Sequence, residues 1–217
     1  MPDPIALETR TPSGAKLHSP SAGRNKAAIA EVLFKLLPKD TSVLGIASGT
    51  GEHAAAALAA RPDLAWQPSD PDAASRASQD AWAREAGGRM RPSLDISTTA
   101  PLWWGGLPGF DAIFCANMIH IAPWEAAQGL ARGAARLLAP GGQTLLYGPF
   151  LEGSASTDGN LAFDRSLRAR DPRWGVRELD DVKKLFAKHG HSLAQVIAMP
   201  ANNRLLQFTR DGRRSPA

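Results

Sequence analysis

The sequence holds a single cysteine, a single tyrosine and no long apolar run among its 217 residues. Cys115 has no second thiol to pair with, which excludes an internal disulfide. No apolar stretch approaches the ~18 to 20 residues that a membrane-spanning helix needs. The first residues lack the charged start and the apolar block of a secretory signal. We therefore expect a soluble, cytoplasmic protein that does not engage a membrane.

The sequence also lacks a cluster of metal-ligating side chains. Its histidines are dispersed, and the cysteine does not form a metal-binding motif with any of them. Structural zinc sites place cysteine and histidine at short, repeated spacings, so we predict that no metal is bound. The histidines are His18, His53, His120, His189 and His191.

The excess of positive charge is confined to the two ends of the chain. Residues 1–26 contain four basic and two acidic side chains, and residues 210–217 contain three basic and one acidic. These two stretches account for the whole formal charge of +4, so the chain between them is neutral. Nucleic-acid-binding domains usually carry a basic face, and we expect no nucleic-acid partner here.

Strand patterns alternate with helical patterns along most of the chain. Apolar strands are predicted at residues 42–47, 110–119 and 143–150, with alanine-rich helices between them. Two final strands flank "PANN", which suits a hairpin. Such alternation is typical of a mostly parallel sheet covered on both faces, with ligands at the carboxyl ends of the strands. We predict a three-layer, Rossmann-like α/β fold.

The length of the chain suits one hydrophobic core. We predict an N-terminal arm over residues 1–20, a single domain over residues 21–210 and a flexible tail over residues 211–217. A first helix is predicted to begin at Arg24, Asn25 and Lys26 and to stop at Pro38. A third strand is predicted over residues 88–97.

The stretch "VLGIASGTGEH" places two glycines where the first strand turns into a helix. Glycine lets a backbone approach a ligand closely, and N–H groups at a helix start can hold a polar or anionic group. An ordinary strand-to-helix turn is the simpler interpretation. The stretch differs from the dinucleotide-binding G-x-G-x-x-G motif, because Ala54 stands three residues after Gly51.

Acidic residues follow the next two strand patterns. Asp70 comes nineteen residues after Gly51, near the spacing at which nucleotide-binding α/β folds place an acid on ribose hydroxyls. Because Pro71 follows it, Asp70 could instead cap a helix. Asp95 and Ile96 end the third pattern, where they could meet an adenine ring. Alone, Asp95 is equally well explained as a solvated loop residue.

Polar side chains also end the fourth and fifth strand patterns. Asn117 could hydrogen-bond a cofactor or a substrate, and His120 could take a proton from an acceptor, assisted by Tyr147. A packing or capping role for His120 is the alternative.

Seven strings between Ser19 and Phe208 are distinctive. They are "SPSAGRNKAAI", "GIASGTGEHAAA", "WQPSD", "CANMIHIAPW", "LLYGPF", "FDRSLRARDPRWGVRE" and "MPANN". Together they resemble the DUF938 family, which includes the methyltransferase-like 26 proteins, within the class I S-adenosylmethionine-dependent methyltransferases.

The resemblance implies a seven-stranded sheet in the order 3-2-1-4-5-7-6, with strand 7 antiparallel. It also implies that S-adenosylmethionine lies over the glycine turn and leaves as S-adenosylhomocysteine, and that the arm folds over the cofactor. A basic helix start at the surface is the alternative for the arm. The cofactor-binding residues expected on this basis are Asn25, Ala47, Ser48, Gly49, Thr50, Gly51, Asp70, Asp95, Ile96 and Asn117.

One position departs from the family pattern. Gly45 stands where the family usually has an acid that helps to orient the methionine amino group, so we expect weaker cofactor binding unless Glu52 or another acid compensates. The acceptor is expected to meet Asn160, Asp164, Arg168 and Trp174, which follow the fifth strand. Asp164 and Arg168 could equally form a plain surface pair, being four residues apart on a helix.

The activity implied is methyl transfer to an oxygen or a nitrogen of a small-molecule acceptor, with His120 and Tyr147 as the catalytic residues. "NMIH" lacks the prolines and the aromatic residue of Asn/Asp-Pro-Pro-aromatic, which argues against nucleic-acid or protein substrates. Two other classes stay open. One is a protein that binds the cofactor with little catalysis, and the other is a nicotinamide-dependent oxidoreductase, which the missing third glycine disfavours.

Overall fold

The computed structural model describes residues 8–212, which form two compact units divided between Ser97 and Thr98. Residues 1–7 of the predicted arm and residues 213–217 of the predicted tail lie outside the described residues. No helix within residues 8–212 is both long and apolar enough to cross a membrane.

The first unit combines a short hairpin with parallel strands and helices. Its two longer strands are parallel, with Val43 opposite Trp66. The elements are β1 (Thr11–Ser13), β2 (Lys16–His18), α1 (Pro20–Leu36), β3 (Ser42–Ile46), α2 (Glu52–Ala60), β4 (Ala65–Pro68) and α3 (Ala73–Glu85).

Helix α1 begins earlier than the sequence pattern predicted. Ser19 caps it by accepting a hydrogen bond from the Ala22 N–H, and Pro20 occupies the first helical position, where its missing N–H costs nothing. The predicted start at residues 24–26 is therefore wrong, because those residues lie in the second turn of α1. The predicted stop before Pro38 is confirmed.

The predicted third strand does not form a regular strand. Within residues 8–212 it forms two isolated bridges, from Met90 to Trp66 of β4 and from Leu94 to Ser69, the residue after β4. Between the two bridges β4 contains Pro68, which has no N–H to donate to this ladder. The pairing also shifts by one residue, because Trp66 and Ser69 are three positions apart whereas Met90 and Leu94 are four. Both features explain why residues 88–97 follow β4 without completing a strand.

The second unit is built on a mixed set of strands. β5 and β6 pair in parallel, and β8 is antiparallel to both β6 and β7, in the order β5-β6-β8-β7. Ala201 and Asn202 turn the final hairpin with φ of +56° and +58°. The elements are β5 (Phe110–Ala116), α4 (Trp124–Leu137), β6 (Leu138–Pro149), α5 (Asp158–Arg170), α6 (Leu179–Lys188), β7 (His191–Met199) and β8 (Asn203–Arg210).

The α/β class and the final hairpin are thereby confirmed. Apart from the hairpin of β1 and β2, the described residues form six strands, so the predicted seven-strand order is not confirmed.

His191 in β7 is a buried histidine at the start of its strand. The residue is 1% exposed, and its ring meets the ring of Phe186 edge-on at 5.7 Å between centroids. Neither ring nitrogen has a hydrogen-bond partner among the described residues. Burial, and then the charge of Arg210, lower the pKa of His191 to about 4. The folded chain therefore keeps this ring neutral at pH values where the unfolded chain protonates it.

We predict that His191 makes the protein less stable as the pH falls from 7 to 5. The unfolded state takes up a proton below its ordinary histidine pKa and the folded state does not, which lowers the free energy of unfolding by up to about 2 kcal/mol over this range. His191→Leu should reduce the loss between pH 7 and pH 5 by that amount, as measured by urea unfolding. An equal loss in the variant and the wild type would show that His191 does not cause it.

Candidate functional site

A sharp turn over residues 47–51 joins β3 to α2, as the glycine pattern predicted. Ala47, Gly49 and Gly51 all have left-handed backbone, with φ of +49°, +56° and +87°. A Cβ on Gly51 would lie 3.0 Å from Cδ1 of Trp82, whereas one on Gly49 would meet nothing within 4 Å. Left-handed alanine is uncommon, and such strain concentrates at ligand sites. The turn thus combines strained backbone with open room beside Gly49.

Side chains of α3 hold this turn from behind. The Ser78 hydroxyl donates to the Thr50 carbonyl at 2.7 Å, and Nε2 of Gln79 donates to the Gly49 carbonyl at 2.8 Å. Both side chains are fully buried. Their hydrogen bonds hold the Thr50 and Gly49 carbonyls against α3.

Asp70 holds the same turn from the end of β4. One of its oxygens accepts the Gly49 N–H at 2.9 Å, and the other accepts the Asp72 N–H at 2.9 Å. Burial raises the pKa of Asp70, and these two backbone donors oppose that rise. The capping alternative for Asp70 is wrong, because Asp72 caps α3 by accepting the Ser75 N–H. Each Asp70 oxygen retains a lone pair for a further donor.

Most backbone donors of the turn already have partners. The Ser48 N–H donates to the Ser69 carbonyl, and the Gly51 N–H donates to the Ser48 carbonyl. The Gly49 N–H is taken by Asp70. Residues 47–49 are half-buried. A ligand beside them would therefore find open space at the backbone more than free N–H donors.

The predicted adenine contacts lie beyond the bridge between Ser69 and Leu94. Ile96 is buried, with 7% of its surface exposed. The Asp95 carboxylate is mostly exposed and forms an ion pair with Arg76 at 3.2 Å. The isolated bridge brings the Asp95–Ile96 peptide alongside the chain that leads to Asp70, although no full strand forms.

Asn25 lies in α1 and is oriented by a histidine of α2. Oδ1 of Asn25 is 2.8 Å from Nε2 of His53. Burial lowers the pKa of His53 to about 4, so the neutral ring can donate an Nε2–H to this oxygen. His53, to which the sequence assigned no role, thereby fixes the direction of the Asn25 amide.

Gly45 is enclosed by side chains of its own unit. A Cβ there would lie 2.6 Å from Oγ of Ser48 and 2.7 Å from Nε1 of Trp66. The position at which the resemblance led us to expect an acid is therefore filled by the Trp66 indole. Glu52, considered as a substitute, is 3% exposed and accepts a hydrogen bond from the Thr50 hydroxyl at 3.1 Å, beneath the turn.

We predict that Gly45→Ala destabilises the first unit. The added methyl group overpacks against Ser48 and Trp66, and such overpacking costs about 1–3 kcal/mol in the free energy of unfolding. Gly23→Ala is the matched control, because its Cβ would meet nothing within 4 Å inside α1. Urea unfolding should show a loss for Gly45→Ala and a gain of about 0.5–1 kcal/mol for Gly23→Ala. A Gly45→Ala variant as stable as the wild type would contradict this packing.

The second unit carries the remaining predicted residues at the ends of β5 and β6. Asn117 follows β5 with a left-handed φ of +61°, and its N–H donates to the Tyr147 carbonyl at 2.8 Å. Tyr147 is 3% exposed and pairs with Ala116 across the two strands. His120 ends a short 3-10 turn, Met118–His120, directly after Asn117.

His120 is buried, with 1% of its surface exposed, and is held in one orientation. Its Nδ1 accepts the Arg177 N–H at 3.3 Å, and its carbonyl accepts the Gly175 N–H at 2.9 Å. Nε2 has no partner among the described residues, and a Cβ on Gly148 would lie 2.5 Å from it. Burial, and then Arg177, lower the pKa of His120 to about 3. A neutral ring with its proton on Nε2 is a poor base and a possible donor.

Arg177 is the residue that sequence reasoning missed. Its guanidinium donates to the carbonyls of Ile119 and Ala122, each at 2.8 Å, and so ties down the turn that carries His120. The string "FDRSLRARDPRWGVRE" contained Arg177, but nothing in the spacing indicated which loop it would reach.

The predicted acceptor residues have mixed surroundings in the second unit. Asn160 is buried and donates to the carbonyls of Phe150 and Asn202 at 3.0 and 3.2 Å. Asp164 pairs with Arg168 at 2.9 Å and also accepts the Val176 N–H at 2.8 Å. The remaining one, Trp174, is half-buried. Asn160 and Asp164 thus support the chain around them, while Arg168 is half-exposed.

No group of three or more His, Cys, Asp or Glu side chains within residues 8–212 is arranged to hold a metal ion.

A family model described as a protein of unknown function, DUF938, matches residues 16–210.

Several solved structures with the same fold are described as methyltransferases. An O-methyltransferase family protein from Burkholderia thailandensis superimposes with a TM-score of 0.74 at 17% identity, over 88% of this chain and 56% of its own. CalO1, a methyltransferase of calicheamicin biosynthesis with S-adenosylhomocysteine bound, superimposes with a TM-score of 0.69 at 16% identity, over 84% of this chain and 53% of its own.

An O-methyltransferase family 2 protein from Planctomyces limnophilus, in complex with apigenin, gives a TM-score of 0.70 at 18% identity, over 88% of this chain and 58% of its own. The chain thus spans little more than half the length of these structures. At such identities the likeness establishes the fold.

Proposed function

The chain belongs to the DUF938 family, and we propose that it is an S-adenosylmethionine-dependent methyltransferase that methylates an oxygen or a nitrogen of a small molecule. The observation that carries the proposal is the braced turn of residues 47–51, with open room at Gly49 and the Asp70 carboxylate at its edge. The fold shared with methyltransferases, one of them holding S-adenosylhomocysteine, supports it.

The residues of the first unit suit an adenosyl ligand. Among residues 8–212, one N–H donates to each Asp70 oxygen, which leaves lone pairs for ribose hydroxyls. Ile96 supplies apolar surface for adenine, and the oriented Asn25 amide can bind the methionine end. The full set of proposed cofactor contacts remains Asn25, Ala47, Ser48, Gly49, Thr50, Gly51, Asp70, Asp95, Ile96 and Asn117.

When S-adenosylmethionine is bound, its sulfonium supplies an already activated methyl group, so the protein mainly has to align the acceptor. We propose that His120 and Tyr147 serve this alignment. The low pKa of His120 and the bond that occupies its Nδ1 favour positioning by an Nε2–H donor over proton removal.

For the acceptor we propose contacts from the region of α5, at Arg168 and Trp174. Asn160 and Asp164 are proposed to shape this region, because their side chains bond to backbone carbonyls, a backbone N–H and Arg168. A small-molecule acceptor is consistent with a methyltransferase neighbour that holds apigenin.

We predict that the purified protein binds S-adenosylhomocysteine and does not bind NAD. Asp70→Ala removes the ribose acceptor and the support of Gly49, and should weaken binding by about tenfold to a hundredfold in calorimetric titration. Asp180→Ala, an exposed acidic residue in the first turn of α6, is the matched control and should bind as the wild type does.

The titration also separates the rival functions. A wild-type chain that binds neither S-adenosylmethionine nor S-adenosylhomocysteine at millimolar concentration overturns the proposal, and binding of NAD would favour an oxidoreductase. Binding with no product formed across a panel of small hydroxyl and amine acceptors would favour a cofactor-binding protein with little catalysis.

A further inference from the structure

Thr50 of the glycine turn is bound by two buried side chains that also bind the N-terminal segment, defined here as residues 16–26. Ser78 binds the Thr50 carbonyl, and Glu52 binds the Thr50 hydroxyl. Each of the two therefore touches the turn on one side and the segment on the other.

The first connection passes through a single hydroxyl group. Ser78 donates to the Thr50 carbonyl at 2.7 Å while its oxygen accepts the Leu17 N–H at 2.8 Å. Ser78 is fully buried, so water cannot replace either partner without an opening of the structure. A shift of Leu17 would therefore act on Thr50 through the Ser78 Oγ atom.

The second connection passes through the carboxylate of Glu52, which is 3% exposed. It accepts the Ser19 N–H at 2.8 Å and the Lys26 ammonium at 2.9 Å, and it lies 3.2 Å from Nδ1 of His18. Burial alone would raise the pKa of Glu52, but the donors from Ser19, Lys26 and His18 outweigh it and hold the pKa below its usual value.

Undocking of the segment would remove nearly all of this support. Glu52 would keep only the Thr50 hydroxyl among the partners described here, and a buried carboxylate with so few donors is strongly unfavourable. Glu52 and the start of α2 would have to move toward water, and Thr50 would lose a fixed partner. Docking of the segment and the conformation of the turn are therefore coupled, so that a change in one changes the stability of the other.

We propose that Glu52 is a positioning residue that couples docking of the N-terminal segment to the affinity of the glycine turn for its adenosyl ligand. This inference rests on the proposed function. By linkage, a docked segment strengthens ligand binding, and the bound ligand strengthens docking by the same factor.

The test combines ligand affinity with a measurement that needs no ligand. Glu52→Gln keeps the shape of the side chain and removes the charge that holds Lys26. We expect S-adenosylhomocysteine to bind about tenfold more weakly in calorimetry, and the Leu17 amide to exchange about tenfold faster by NMR without ligand. In the wild type, S-adenosylhomocysteine should slow that exchange. Leu17 is informative because its N–H bonds to Ser78 and not to Glu52.

Two further variants make the test specific. Lys26→Met keeps the aliphatic chain and removes the ammonium group, so it should show both changes even if Glu52→Gln fails to fold. Glu85→Gln is the matched control, because Glu85 is exposed and pairs with Lys16 of the same segment without touching the turn. It should leave the affinity unchanged.

The outcomes are distinct. No binding of S-adenosylhomocysteine by the wild type overturns the proposed function and this inference together. Wild-type binding, with folded Glu52→Gln and Lys26→Met variants that lose thermal stability but keep full affinity, overturns the inference alone. Weaker binding in both variants with faster Leu17 exchange supports it.

Discussion

The hydrogen bond from the Gly49 N–H to the Asp70 carboxylate is the constraint on which the candidate site of the first unit depends. It joins the turn after β3 to the end of β4, two points that lie far apart in the chain. Because Asp70 is buried, loss of either of its backbone donors would leave a costly unpaired group. The turn is thereby held in its left-handed geometry, and Gly49 can leave open room beside it.

The second unit depends on a comparable constraint around His120. Arg177 and Gly175 bind the turn that carries this residue through backbone atoms and one ring nitrogen. The His120 imidazole is therefore neutral, buried and held in one orientation. In both units, then, polar groups that look reactive in the sequence are first used to fix a loop, and only their remaining lone pairs or protons are left for a ligand.

Features set by local chemistry were predicted well. The glycine turn, the end of α1 before Pro38 and the final hairpin follow from residues that are neighbours in the chain. The prediction of a third strand was wrong, since Pro68 has no N–H for the ladder and the pairing with β4 shifts by one residue, neither of which the apolar pattern indicates. The predicted start of α1 was also wrong, because the apolar face begins only after the turn capped by Ser19. The roles of the site residues remain predictions.

By itself, the sequence determined the α/β class, the place of the glycine turn and membership of the DUF938 family, because periodicity, glycine and proline act over short distances and a long string of residues is specific. Only the tertiary structure decided that Trp66 fills the space at Gly45, that Asp72 and not Asp70 caps α3, and that Glu52 lies beneath the turn. Burial and hydrogen-bond partners come from residues distant in the chain, and they set which groups are charged, occupied or available.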